Sequence, residues 1–295
     1  MKKTIFLTIF ICFLLLQGFS QQTEFAKSSD GVNIAYQVYG NGNIPLVFVH
    51  GWCCDKSYWK EQTSVLKNQY KIVAIDLAGH GESGLGRKSY TIPMFAKDVS
   101  AVINKLSLDK FIIIGHSMAV LVILEVAVNN LDKTLAIFPI DGFPDIPKVK
   151  TADELEAYDK EQRSEWSKKN FQPYVYEWVK SWYHPESDSV LIDKIALDMS
   201  MNNPFAGIDA DVNKMQYYYK EYPNSLKLIK DIPVINIESQ WQPNVEEFRN
   251  YGVNFQNFHM EGPGHFLYMS NPVEFNKILS EQLDKVLKVM ESKSI

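Results

Sequence analysis

Short runs of β-branched and other apolar residues recur along the chain with longer amphipathic stretches between them, and this alternation limits the possible folds more than any other feature. Pro45–Val49, Ile72–Ile75, Phe111–Ile114, Thr134–Ile140, Pro233–Ile237 and Val253–Phe258 read as buried strands. Stretches near Lys56–Lys67, Ile92–Leu106, Met118–Asn130 and Pro272–Met290 read as helices. Strands that are apolar throughout need cover on both faces, and helices between successive strands supply it. The pattern therefore predicts a mostly parallel sheet with helices on both faces. Ahead of it, Glu24–Lys27 and Val32–Tyr39 flank Ser29-Asp30-Gly31, a hairpin signal that adds antiparallel strands at one edge and brings the sheet to eight strands.

Residues 142–231 break the alternation. They are helical in pattern and rich in tryptophan and tyrosine, among them Trp166, Tyr174, Trp178, Trp182 and Tyr218. An insertion after the strand ending at Ile140 would lie over the carboxyl end of the sheet, where open α/β sheets place ligands. The expected organisation is a core of residues 21–141 and 232–295 with a helical cap of residues 142–231. Most of the aromatic rings are expected to pack against one another within that cap.

The first twenty residues have the form of a secretory signal peptide: Lys2 and Lys3, an apolar run from Ile5 to Leu16, then small residues at Gly18 and Ser20. The run is shorter than the roughly 18–20 residues a stable membrane span needs, so cleavage after Ser20 is expected rather than retention as an anchor. Cleavage removes two lysines and no acid, taking the formal charge from −5 to −7. A mildly acidic body argues against nucleic acid as a partner. The mature chain is long enough to bury roughly 70–75% of its unfolded surface, so no staple is required. Cys12 leaves with the signal, and the neighbours Cys53 and Cys54 are either free thiols or a strained vicinal pair. No Cys-x-x-Cys partner or second histidine cluster stands near them, so neither a metal nor an organic cofactor is expected.

The segment richest in chemistry is Phe111-Ile112-Ile113-Ile114-Gly115-His116-Ser117-Met118-Ala119, which reads as strand, sharp turn and helix. Such a turn strains its middle residue and crowds the positions two before and two after, which must be small. Gly115 and Ala119 are small. Ser117 would then raise its hydroxyl above the sheet at the amino end of a helix, where the dipole favours negative charge.

Three further segments accompany it: His50-Gly51-Trp52, Asp76-Leu77-Ala78-Gly79-His80-Gly81-Glu82-Ser83 and Gly262-Pro263-Gly264-His265-Phe266. With them the chain resembles the α/β-hydrolase family over nearly all its mature length. The resemblance implies Ser117 as nucleophile, His265 as base, and the amides of Trp52 and Met118 as donors to an oxyanion, each contributing roughly 3–4 kcal/mol to catalysis. It implies a structural role for Asp76–Ser83, with Gly79 and Gly81 serving backbone geometry. Of the other histidines, His259 rivals His265 but falls in or at the end of a strand, His116 is expected to point away from Ser117, His50 and His80 belong to turns, and His184 lies in the cap.

The third member of a triad departs from the family's usual pattern. Most relatives carry an Asp after strand seven, and laying Ile232–Ile237 on that strand puts Gln242 there. A glutamine cannot stabilise an imidazolium as a carboxylate does, and a wrong partner can select the wrong tautomer. Some relatives carry the acid one strand earlier, and here Phe138-Pro139-Ile140-Asp141 ends that strand with a carboxylate. Asp141 is the expected acid and Glu238 the alternative, while Asp141-Gly142 also reads as a simple turn into the cap.

The expectation is an exported serine hydrolase, periplasmic or extracellular, that cleaves carboxylic esters or related acyl substrates through Ser117, His265 and Asp141. The partner is then a small ester-like molecule, with no stable membrane anchor after signal cleavage. A serine at the turn disfavours the relatives that use an aspartate nucleophile. The alternatives are a carbon–carbon bond hydrolase or lactonase of the same fold, or a non-catalytic binding protein on a degenerate scaffold.

Overall fold

The computed structural model describes residues 21–183, 187–239, 243–262 and 264–293. The signal segment, His184 and Gln242 lie outside the described residues. No helix among the described residues is long and apolar enough to cross a membrane.

A hairpin of β1 (Glu24–Lys27) and β2 (Asn33–Tyr39) opens the sheet, followed by β3 (Pro45–Val49) and β4 (Lys71–Ile75). Then come β5 (Phe111–His116), β6 (Thr134–Ile140), β7 (Val234–Glu238) and β8 (Phe255–His259). They form one eight-stranded sheet in the order β1-β2-β4-β3-β5-β6-β7-β8. The pairs β1–β2 and β2–β4 are antiparallel and all others are parallel. Every residue of β3, β5 and β7 is buried, as a central strand covered on both faces requires.

Helices α1 (Lys60–Leu66), α2 (Ile92–Lys105) and α3 (Ala119–Val128) follow β3, β4 and β5. Helix α3 buries eight of its ten side chains, which explains its weak amphipathic pattern: it is a core helix with almost no solvent face. Helix α2 starts with a Thr91 cap, whose hydroxyl accepts from the Met94 amide, and with Pro93 in its first turn.

Among the described residues, five helices lie between β6 and β7: α4 (Ala152–Ser167), α5 (Phe171–Lys180), α6 (Ser189–Ser200), α7 (Pro204–Lys220) and α8 (Tyr222–Leu228). The first is fixed by a capping box in which Thr151 and Glu154 satisfy each other's amides. The segment is tied to the sheet's loops at several points. Asp209, itself buried, accepts from the Tyr90 amide at 2.6 Å and from Arg163 at 2.8 Å. Trp52 Nε1 donates to the Gly207 carbonyl at 2.7 Å, and Tyr222 to the Pro144 carbonyl at 2.7 Å.

Helices α9 (Val245–Asn250), α10 (Leu267–Ser270) and α11 (Pro272–Lys293) complete the chain. The α9 helix carries too few apolar residues to reveal itself by period. Its local signal is Asn244, whose side chain accepts from the Glu247 amide, with Glu246 and Glu247 in the first turn. Strands β7 and β8 begin one and two residues later than their apolar runs. Pro233 has no amide to donate and serves only as an acceptor, from Ile137 N at 2.9 Å.

Candidate active site

The turn between β5 and α3 fixes Ser117 in the left-handed region, at φ 54°. A non-glycine residue held there costs roughly 1–3 kcal/mol and must be supported by its surroundings. The Ser117 amide donates to the Ile140 carbonyl at 2.9 Å, and the Val120 amide donates back to the Ser117 carbonyl at 2.9 Å. The crowding is of the kind the sequence predicts. A Cβ on Gly115 would stand 2.7 Å from Ile123 Cγ2 and 2.9 Å from the Ala119 carbonyl oxygen.

Asp141 directly follows β6, one strand away, also left-handed at φ 43°, and His265 follows β8. The structure brings the three side chains into one line. Ser117 Oγ lies 2.9 Å from His265 Nε2, and His265 Nδ1 lies 2.7 Å from Asp141 Oδ2. A carboxylate can only accept, so Nδ1 carries the proton and Nε2 is left as acceptor for the Ser117 hydroxyl. The Asp141 side chain is fully buried and that of His265 is 12% exposed, so the pair is shielded yet open on the serine side.

Glu238, the alternative acid, faces elsewhere. Its Oε1 accepts from His259 Nδ1 at 2.7 Å and from Asn257 at 3.3 Å, so both rivals pair with each other and not with His265. The separation follows from strand alternation, because Glu238 is the last residue of β7 and His259 lies directly opposite it in the register.

His50, His80 and His116 are buried and held neutral. Burial lowers His50 to about 4 and His80 to about 3. His50 Nε2 accepts from the Leu77 amide at 3.0 Å, which leaves Nδ1–H to donate to the Gly51 carbonyl at 2.8 Å. Burial also pushes His116 well below the ordinary range. Its ring packs against that of His265, centroids 4.6 Å apart, and Nε2–H donates to the His265 carbonyl at 2.9 Å. Cys53 and Cys54 are free, buried thiols raised by desolvation. Among the described residues no group of three or more His, Cys, Asp or Glu side chains is arranged to hold a metal ion.

Trp52 and Met118 flank Ser117 in the wall of a cavity of about 720 Å³. Met118 has helical backbone at the start of α3, where amides have no partner within the helix. Among the turn and loop hydrogen bonds of the described residues, neither the Trp52 nor the Met118 amide donates to a backbone carbonyl. Trp178, Trp182, Met215 and Tyr218 of the helical segment close the other side. The walls are mainly apolar. Lys214 also lines the cavity, with its ammonium 2.5 Å from Asp211.

Three contributions escape a reading by motif. Ser239 touches both Asp141 and the turn that carries His265, through its amide at 2.7 Å and its hydroxyl at 3.1 Å. Trp182 stands edge-to-face with the His265 ring, centroids 5.4 Å apart. Gly142 packs so tightly that a Cβ there would stand 2.5 Å from Ser117 Cα. Only the last left a trace in the sequence, as the Asp-Gly pair.

The comparisons with known proteins agree with this architecture. Residues 44–166 match the α/β-hydrolase fold family model. A non-heme haloperoxidase of Rhodococcus erythropolis is 34% identical over 94 residues, 32% of this chain and 34% of that protein. A bifunctional esterase/perhydrolase of Acinetobacter calcoaceticus is 33% identical over 95 residues, 32% of this chain and 34% of that protein. The matched segment thus spans about a third of the length of these curated relatives. Among solved structures, an esterase from Thermogutta terrifontis superposes with a TM-score of 0.75 at 20% identity, covering 90% of this chain and 99% of that one. A bromoperoxidase from Bacillus anthracis superposes with a TM-score of 0.72 at 18% identity, covering 89% and 100%. At such identity the superpositions speak to the fold alone. Sheet order, the strained turn after β5, the family-model match and the superpositions converge: the chain is an α/β-hydrolase-fold protein.

Proposed function

We propose that this protein is a serine hydrolase that cleaves carboxylic esters or related acyl substrates, with Ser117 as nucleophile, His265 as base and Asp141 as its orienting acid. The observation that carries the reading is the unbroken line from Ser117 Oγ through His265 to Asp141, at 2.9 and 2.7 Å, opening into an apolar cavity.

The chemistry follows from the groups present. His265 Nε2 takes the Ser117 proton as Oγ attacks the carbonyl carbon, while Asp141 holds the imidazolium that results. The carbonyl oxygen becomes an oxyanion and accepts from the Trp52 and Met118 amides. The carbon–oxygen bond then breaks, and His265 returns its proton to the departing alcohol. Water repeats the sequence on the acyl-enzyme, giving its proton to His265, and the acid leaves as Ser117 Oγ is reprotonated.

The name of the Acinetobacter relative, an esterase/perhydrolase, is consistent with ester cleavage. A serine in the strained turn makes an aspartate-nucleophile reaction, such as epoxide opening, the weaker reading. The helices from Ala152 to Leu228 act in this account as the cap over the site, and residues 1–20 as a signal that exports the chain. The mass of the exported protein tests the second point: cleavage after Ser20 leaves Gln21 as the first residue.

A panel of p-nitrophenyl esters of graded acyl length tests the main one, with Ser117→Ala as control. Turnover by the native chain and none by the variant is expected. Cleavage of a diketone with no turnover of any ester would replace the proposal with a carbon–carbon bond hydrolase.

A further inference from the structure

We infer that Ser239 is the positioning residue that couples the acid to the base-bearing turn; this rests on the serine-hydrolase reading above. The sheet order puts β7 between β6, which leads to Asp141, and β8, which leads to His265. The ends of the three strands are registered by backbone bonds, Asp141 N to the Ile237 carbonyl at 2.9 Å and Met260 N to the Glu238 carbonyl at 2.8 Å. The residue that follows β7 is therefore the one the fold sets between acid and base.

Its two polar groups serve the two sides. The Ser239 amide donates to Asp141 Oδ1 at 2.7 Å, and its hydroxyl oxygen accepts from the Gly264 amide at 3.1 Å. Asp141 Oδ2 receives His265 Nδ1 at 2.7 Å, and Gly264 is covalently joined to His265. The four residues close a ring: Asp141 to His265, His265 to Gly264, Gly264 to Ser239, Ser239 to Asp141. Glu238, one residue earlier, is occupied by His259, so strand alternation leaves Ser239 for this task.

The turn needs such a tie. Gly262 and Gly264 both have left-handed backbone, at φ 95° and 74°, and a Cβ on Gly262 would meet nothing within 4 Å. Two left-handed glycines, with open space beside Gly262, give the backbone little steric restraint there, and α10 begins only at Leu267. The hydroxyl of Ser239 and the ring of His116, which holds the His265 carbonyl at 2.9 Å, fix the backbone of the turn, while Trp182 packs on the His265 ring. A base displaced by about 1 Å can cost on the order of 10²-fold in rate, so one hydrogen bond at this position is worth more to turnover than to stability.

Ser239→Ala keeps the amide that serves Asp141 and removes only the hydroxyl. On a short p-nitrophenyl ester its kcat should fall about tenfold, within the range a slightly misplaced catalytic group produces. KM should stay within about twofold, the thermal midpoint should change little, and fluorophosphonate labelling should slow in parallel. Ser239→Thr, which restores the hydroxyl, should recover most of the rate. The inference is overturned if native protein labels and turns over but Ser239→Ala does so equally fast. It is also overturned if the loss falls on KM, or if threonine does not restore kcat. A native protein that neither labels nor cleaves esters rejects the serine-hydrolase reading itself, and the coupling with it.

Discussion

Ser117 and Asp141 leave adjacent parallel strands with the same left-handed backbone, φ 54° and 43°, so that both side chains turn toward one imidazole. The Ser117 amide is held by Ile140, the residue just before Asp141, at 2.9 Å. Nucleophile and acid are thus parts of one backbone arrangement at the ends of β5 and β6, and His265 enters from the far strand to join them.

That arrangement depends on Gly142. With a Cβ the residue would stand 2.5 Å from Ser117 Cα and 2.7 Å from its carbonyl oxygen, contacts with backbone that cannot swing aside. Gly142→Ala is expected to lose about 1–3 kcal/mol of stability, as overpacking of a tight interior typically does. Urea unfolding measures the loss, and fluorophosphonate labelling should slow more than tenfold as Ser117 shifts.

The two candidate acids separate by substitution. Asp141→Asn should reduce kcat by roughly 10³–10⁴-fold, because an amide in place of the carboxylate can hold the wrong tautomer of the base. Glu238→Gln keeps the shape, alters only the contacts with His259 and Asn257, and should leave kcat within a few-fold of native. Steady-state kinetics on one ester compares both; a larger effect at Glu238 would exchange the assignments.

Stability should decline on mild acidification. His50 and His80 are held neutral by burial at about 4 and about 3, below the ordinary value of 6.5 that applies to the unfolded chain. Between those limits the unfolded state binds more protons, so their contribution is complete above pH 6.5 and is lost as pH falls through the folded values. The slope approaches about 1.4 kcal/mol per pH unit for each histidine. Thermal unfolding from pH 7.5 to 4.5 should show a midpoint falling below pH 6.5; a flat profile would mean that one or both rings accept a proton in place.

The aromatic wall should set acyl preference. Trp182 lines the cavity and stands against the His265 ring. Trp182→Ala would enlarge a cavity of about 720 Å³, already within the range of about 300–1,000 Å³ that receives drug-sized ligands. The ratio of kcat/KM for a bulky or long acyl ester over acetate should rise about tenfold, the scale of a change in apolar pocket volume.

Much of the fold was legible because strands buried on both faces write continuous apolar runs. Pro45–Val49 and Thr134–Ile140 are read from such runs with their observed bounds. The strained turn at Ser117 was legible because crowding demands small residues at fixed distances, and Gly115 and Ala119 meet that demand. The resemblance to relatives that carry the acid one strand earlier pointed to Asp141 over Glu238, and the structure sets Asp141, not Glu238, against His265. Other features left no such mark. The α9 helix has one buried residue, Phe248, and so no period to detect. Ser239 acts through one amide and one hydroxyl, groups whose partners lie 98 and 25 residues away and leave no local pattern. The brace from His116 to His265 spans 149 residues and exists only once β5 and the turn after β8 are assembled.

The most direct test of the account is reaction of the mature protein with a fluorophosphonate, followed by peptide mass spectrometry. The account predicts a single adduct on Ser117, absent from Ser117→Ala and strongly suppressed in His265→Ala. An unmodified protein, or an adduct that persists in Ser117→Ala, would contradict it.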